Sequence, residues 1–348
     1  MKPRLLSALL CAVLLLALCA VTTAALGETM TFGNISQALD YVKKNQPKSL
    51  ELTDVRFSPK DLLKLKNSMP EGSKLKFSTT WCGTTITQNS RDINLNNSKA
   101  GVGQEDVEAL ITLCPKLKKL NFSSHHNLSN KIVIPLIEKY PDIEFVWFVV
   151  IRGNKSLCSD DSAYSTFNKP NEQIIHSADL EVLKYCPNIK ALDLGHNYID
   201  DLSFLQYCPD LEMLILGQNP VTDLTWIGTL KHLKYAELFS LKATDCSPLA
   251  NCTELLDLNL SYCPMTDLTP LQSLTKLERF WGNKMSKLPE DQKTQFAADH
   301  PDCLCVFKGG HATSDNWRKH ERYDHYIWCL KAHEWIPFEE PLPNRSPY

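Results

Sequence analysis

Apolar residues recur through the second half of the chain with a fixed 22-residue phase. Segments begin at Ile189, Leu211, Leu233, Leu255 and Leu277. Three positions on sits Leu192, Leu214, Ala236, Leu258 or Phe280. Five positions on sits Leu194, Leu216, Leu238 or Leu260, with Gly282 breaking the run. A period of this length implies stacked units that bury their apolar sides against one another. It favours a binding surface over a catalytic pocket. Offsets 0, 3 and 5 predict a short strand with its leucines turned inward, and the polar residues beyond predict a turn.

Three further columns share the phase. Asn197 and Asn219 occupy offset 8, where a buried amide bonds the turn backbone of neighbouring repeats. Leu241, Cys263 and Met285 replace it later, so the amide ladder is partial. Asp201, Asp223, Asp245 and Asp267 each precede a short apolar outer turn and are placed to accept its first backbone N–H groups. Stacked carboxylates also suit a cation, but capping accounts for every member. Cys186, Cys208 and Cys252 share a column with Leu230 and Leu274, and Cys246 shares one with Leu202, Leu224 and Leu268. Cysteine there stands in for leucine as a small buried side chain. Cys82, Cys158, Cys303, Cys305 and Cys329 fall outside the frame and are the better disulfide candidates.

The flanks divide by composition. Residues 26–48 predict an amphipathic cap helix with Ile35, Leu39, Tyr41 and Val42 on its apolar side. Residues 49–150 carry longer, irregular repeats, with helices at Asp106–Leu113 and Lys131–Lys139 and strands around Leu120 and Val146. Residues 151–178 are rich in Ser, Asn, Asp and Gly and read as a loop insertion. The regular array covers 179–306. Residues 307–348 form a C-terminal cap and tail whose aromatic density implies packing against the array. The final Pro-rich stretch, PFEEPLPNRSPY, reads as disordered.

The frame LxxLxLxxN followed by xIxDLxxLxxC resembles that of leucine-rich repeat proteins, in the 22-residue class of internalin-like bacterial surface proteins. Leu211–Leu230, LEMLILGQNPVTDLTWIGTL, fits it almost throughout. The strings Ala191–Leu205 and Asn316–Tyr323 resemble exported repeat proteins of gut Firmicutes. The resemblance implies an α/β fold: a right-handed horseshoe solenoid, with a parallel sheet on its concave face and short helical or 3-10 turns on its convex side.

Charge changes the picture little. The chain carries 37 Lys+Arg against 40 Asp+Glu, a net charge of −3, and no basic excess points to nucleic acid. The first 25 residues read as a signal peptide cleaved after Ala25, with Lys2 and Arg4 ahead of an apolar run. Its removal takes the net charge to −5. The membrane enters only through an uncleaved or Cys19-lipidated N-terminus. The expected location is secreted or cell-surface, as a monomer. Sequons such as Asn121 and Asn259 lie in predicted strands and read as incidental.

Concave side chains lie between the inward leucines. The repeat does not require Met213, Ile215, Tyr235, Phe239 or Trp281 there, and Glu237, Asp257, Asn259 and Arg279 surround them. Exposed aromatic and Arg residues with a polar rim mark a partner site. The nine are therefore the candidate ligand-binding residues, for a protein partner, with a glycan stacking on the aromatic rings as the alternative. Burial of the same patch beneath the tail or the insertion is the competing structural reading. His320, His325, Cys329 and His333 hold a zinc-like spacing, set against an amphipathic cap helix with Tyr326 and Trp328 inward. No catalytic motif appears, so no catalytic residue, cofactor or metal is assigned.

Overall fold

Each 22-residue segment lays down one three-residue strand, and the strands stack in chain order. A computed structural model describes residues 28–97, 101–169 and 171–347. The leader, with its cleavage site and Cys19, lies outside the described residues. Among them no helix is long and apolar enough to cross a membrane. The chain divides into two units between Trp147 and Phe148.

The first unit holds two sheets. Strands β1 (Glu28–Met30), β2 (Ser49–Val55) and β3 (Lys74–Trp81) run parallel, and β4 (Thr84–Thr87) returns antiparallel to β3. Strands β5 (Asp92–Asn94), β6 (Lys119–Asn121) and β7 (Glu144–Val146) form the second, all parallel. Helices α1 (Ile35–Asn45), α2 (Pro59–Ser68), α3 (Gln104–Leu113) and α4 (Asn130–Lys139) connect them. Helix α1 starts where the Asn34 side chain accepts from Gln37 N, and it buries Ala38 and Val42. The strands expected around Leu120 and Val146, and the helices before them, are present.

The second unit opens on an antiparallel hairpin, β8 (Phe148–Arg152) and β9 (Lys155–Cys158). This corrects the reading of residues 151–178 as loop alone. The turn is Gly153–Asn154, with Gly153 at φ 58°, a conformation glycine adopts without a Cβ penalty. Strand β10 (Ala163–Ser165) then starts a seven-stranded parallel sheet. It continues through β11 (Ala191–Asp193), β12 (Met213–Ile215), β13 (Tyr235–Glu237), β14 (Asp257–Asn259), β15 (Arg279–Trp281) and β16 (Leu304–Val306). Leu192, Leu214, Ala236, Leu258 and Phe280 sit opposite one another in this register, and all are fully buried. Burying one such Leu side chain contributes about 1.5–3 kcal/mol.

The strands are short because the chain turns sharply at one column. His196, Gln218, Ser240, Tyr262 and Lys284 all have φ between 56° and 63°. None is glycine, and left-handed backbone costs such residues of order 1–3 kcal/mol. The sheet's ladder offsets this at four of them. His196 N donates to Gly217 O, Gln218 N to Phe239 O, Ser240 N to Ser261 O and Tyr262 N to Asn283 O, at 2.8–2.9 Å. Asn219 adds a buried amide that donates to Leu194 O and Leu216 O and accepts from Ile199 N. Where Cys263 replaces the amide, its thiol donates to Leu238 O at 3.1 Å.

On the other side, 3-10 turns such as Ser203–Tyr207 and Thr269–Ser273 close each repeat. Asp201, Asp223, Asp245 and Asp267 accept the N–H two residues on, at 2.8–2.9 Å. Burial pushes the Cys208 and Cys246 thiols up to about 12. The cysteines of the described residues are thiols, Cys303, Cys305 and Cys329 among them, which corrects their reading as bridge candidates. The last repeat differs. An α-helix, α5 (Glu290–Asp299), replaces the 3-10 turn, and Leu304 pairs with Arg279 across a longer interval than the regular period. Stacked strands in parallel register, one per repeat, with 3-10 turns behind them, make the second unit a leucine-rich repeat solenoid of α/β class.

Candidate functional site on the inner face of the array

All nine residues expected to present an open surface are at most 8 % exposed. The chain's own C-terminal segment covers all of them but Phe239. Beyond β16 it crosses the sheet as a loop and then forms helix α6 (Glu321–Ala332), which starts at His320. Tyr326, Cys329 and Leu330 fall on one face of α6 at helical spacing and are buried. They join Trp317 and Trp335 in one cluster with Met213, Ile215, Tyr235 and Trp281. The expectation of an exposed apolar patch is thereby corrected: apolar side chains of the tail pack over it and exclude solvent.

The aromatic contacts are specific. The Tyr235 ring lies 4.9 Å from Tyr326, 5.6 Å from Trp317 and 6.2 Å from Phe338, centroid to centroid. Trp281 and Trp317 are 5.0 Å apart. Such pairs are worth about 0.5–1.5 kcal/mol each beyond their burial. Phe239 has a different partner. Its ring fills the space over Gly217, where a Cβ would come within 2.4 Å of the ring.

Beneath the rings lie two buried carboxylates, each met by several donors. Glu237 Oε1 accepts from Tyr235 Oη, from Trp317 Nε1 at 2.8 Å and from Tyr326 Oη at 3.1 Å. Burial first, and the Glu237 charge second, hold the Tyr235 and Tyr326 phenols well above their usual pKa. Asp257 receives Nε and Nη2 of Arg279 as a fork, and Nη1 of Arg322 at 2.9 Å. Arg322 also reaches Glu278. The buried Asp257 charge is tolerated because it is paired and hydrogen-bonded in this way, whereas the second oxygen of Glu237 has only Arg318, at 4.0 Å.

The remaining polar residues grip backbone. Asn259 Nδ2 donates to Ala312 O at 2.9 Å, and Asn283 Nδ2 to His311 O at 3.2 Å. Trp281 Nε1 donates to Ser314 O and Arg279 Nη1 to Trp317 O, both at 3.0 Å. Further along, Lys234 pairs with Glu339 at 2.8 Å. Phe338 and Leu342 pack against the cluster, and Trp328 Nε1 donates to Arg345 O. The stretch expected to be disordered is thus docked.

No family model matches the chain, and no curated protein does. Among solved structures it is similar to internalin C2 of Listeria monocytogenes, with 22% identity over 44% of this chain and 76% of that one, at a TM-score of 0.31. The Listeria monocytogenes internalin InlF is 16% identical, covering 75% of this chain and 73% of its own, at 0.33. A leucine-rich repeat protein of Leptospira interrogans is 14% identical, covering 80% and 100%, at 0.35. The strand register, not these likenesses, fixes the fold.

The four tail residues of zinc-like spacing do not converge. His325 Nε2 bonds Ile336 O at 2.8 Å, His320 Nδ1 accepts from Arg322 N, and Cys329 is buried in the cluster. His333 alone turns outward, to Asp161. The amphipathic-cap reading of this helix holds for Tyr326. Sequence reasoning passed over Arg318 and Arg322. Their signal is charge: the tail string WRKHER is basic where the face beneath it carries Glu237 and Asp257.

Proposed function

We propose that this chain is a non-enzymatic extracellular binding protein that engages a polypeptide through the inner face of its repeat array, with its own C-terminal segment as the resident ligand. One observation carries this reading. Asn259, Asn283, Trp281 and Arg279 each donate to a main-chain carbonyl of residues 311–317. Main-chain carbonyls belong to any polypeptide and to no glycan. The aromatic–carboxylate layer beside them adds side-chain selectivity, as peptide grooves do. The glycan alternative loses support, because the Tyr235 and Trp281 rings are already packed against Trp317. Export rests on the N-terminal leader pattern.

The test uses a labelled peptide spanning residues 311–338, added to the full chain. Wild type holds its own segment at high effective concentration and binds the peptide weakly. Trp317→Ala loosens the resident segment, and peptide binding rises at least tenfold. Tyr235→Ala in the loosened background removes the gain. A loosened variant that still unfolds cooperatively but takes up no peptide overturns the reading.

A further inference from the structure

The seven-stranded sheet ends at β16, and no described residue pairs with its outer edge. On the inner edge Leu304 N donates to Glu278 O and Gly282 N to Val306 O, both at 2.8 Å. Alternate residues of a parallel strand bond the same neighbour. The N–H and C=O of Cys305, between those two, therefore point away from β15. Neither group has a hydrogen-bond partner among the described residues, and the N–H of Phe307 has none either. Leu304 on the same strand is 57% exposed, more than any other large apolar side chain among the described residues.

This open edge borders a groove. Two cavities, of about 600 and 380 Å³, share Lys293, Phe307 and Lys308 in their walls. The smaller lies between the first turn of α5 and residues 305–308. The larger runs on to residues 284–286 and to Gly309 and Gly310. The floor is firmly built, because the Phe307 ring packs on Phe280 at 5.5 Å and on Phe296 at 6.2 Å, centroid to centroid. The walls carry three lysines, Lys284, Lys293 and Lys308, against one carboxylate, Glu290. Lys293 pairs with Glu290 at 2.6 Å. That hydrogen bond first, and the charge of Lys308 after it, hold the Glu290 carboxyl below its usual value, so the two lysines converge on one place. Neither Lys284 nor Lys308 has an ion-pair partner within 4.0 Å among the described residues.

Unpaired strand groups beside an apolar floor are what an extended peptide uses when it adds to a sheet. The lysines decide which peptide. A second copy of the chain would bring like charges together at this edge, whereas acidic side chains would neutralise them. We propose that an acidic peptide adds as one further strand along β16. Its main chain bonds the free groups of Cys305 and Phe307. Side chains on one face of the added strand cover Leu304, and carboxylates on the other reach Lys293 and Lys308. This surface is separate from the inner face that the tail already fills.

The probe is a fluorescein-labelled octapeptide alternating valine and glutamate, titrated with the full chain and read by anisotropy. The expected result is saturable one-to-one binding. Only one alternate set of peptide N–H groups faces β16. N-methylation of that set lowers the affinity at least tenfold, and N-methylation of the other set changes it less than twofold. Lys284 and Lys308 are exposed, so Lys284→Glu/Lys308→Glu leaves the fold intact and lowers the affinity at least tenfold. Glu290→Gln, which frees Lys293, raises it. Absence of binding, or equal loss from both N-methylated sets, overturns the added strand. A sulfated oligosaccharide that binds as tightly as the peptide reduces the groove to a charged patch and overturns it too. A concentration-dependent dimer that Leu304→Ser abolishes gives the edge to a second copy, with the same consequence.

Discussion

Asp257 and Arg279, neighbours on adjacent strands, form a two-pronged ion pair at 2.7 and 2.9 Å with both side chains almost wholly buried. Removing one partner of such a pair leaves the other charge uncompensated, which costs about 3–5 kcal/mol. Asp257→Ala is therefore expected to lower the urea midpoint of the second unit sharply. Asp267→Ala, an exposed cap with one backbone bond, loses only about 0.5–2 kcal/mol. Equal losses from the two would refute the buried network as the tail's main polar anchor.

Trp317→Ala removes a ring packed on Tyr235, Trp281 and the Arg279 guanidinium, which lies 4.6 Å from its centroid. Large-to-small changes of this kind cost about 3–5 kcal/mol. The loss is expected to fall on the tail first, seen as new protease cleavage beyond residue 310 while cleavage within the strands stays slow. Uniform cleavage along the whole unit would show that array and tail unfold together.

Acid should weaken the outer turns in a defined direction. Side-chain bonds from Thr225 and Thr269, then backbone bonds, hold Asp223 and Asp267 below the usual carboxylate value. A depressed folded-state pKa contributes stability that is present above the unfolded value near 3.9 and is lost as pH falls through the folded value. Both groups are exposed, so the contribution is small. The double variant Asp223→Asn/Asp267→Asn should flatten the acid limb of a urea-midpoint profile below pH ~4, with no change in shape above pH ~5. Parallel profiles would remove the caps from the explanation of acid sensitivity.

Thiol reactivity should sort by position. Burial raises Cys208 and Cys246 to about 12 and Cys252 to about 11. A hydrogen bond with Cys303 lowers Cys305. The thiolate is the nucleophile, so iodoacetamide at pH 8 is expected to label Cys305 well before the three repeat-frame thiols. Mass spectrometry of timed digests reads the order directly, and early labelling of Cys208 would contradict the packing.

The array was legible because one period governs it. Leu192 through Phe280 fall in register as the phase requires, and each column aspartate takes its turn N–H. The hairpin at Phe148–Cys158 was less so, because the polar residues after it masked the Gly153–Asn154 turn signal. The inner face misled for a physical reason. Sequence phase places Tyr235 and Trp281 on a surface, but whether that surface meets solvent depends on residues 311–345, which carry no period. Proline-rich composition in that tail argues against regular structure, yet Phe338 and Glu339 need none to reach Tyr235 and Lys234.

The covering segment also acts as a gauge. A solenoid ordinarily gains or loses a unit at modest cost, since each repeat touches only its neighbours. Here His311 is fixed to Asn283, just past β15, and Trp335 to Ser162, just ahead of β10. The stretch between them has one length and spans one number of strands. Duplicating or deleting a single 22-residue unit would leave that span too short or too long, so the repeat count of this unit is set by its tail.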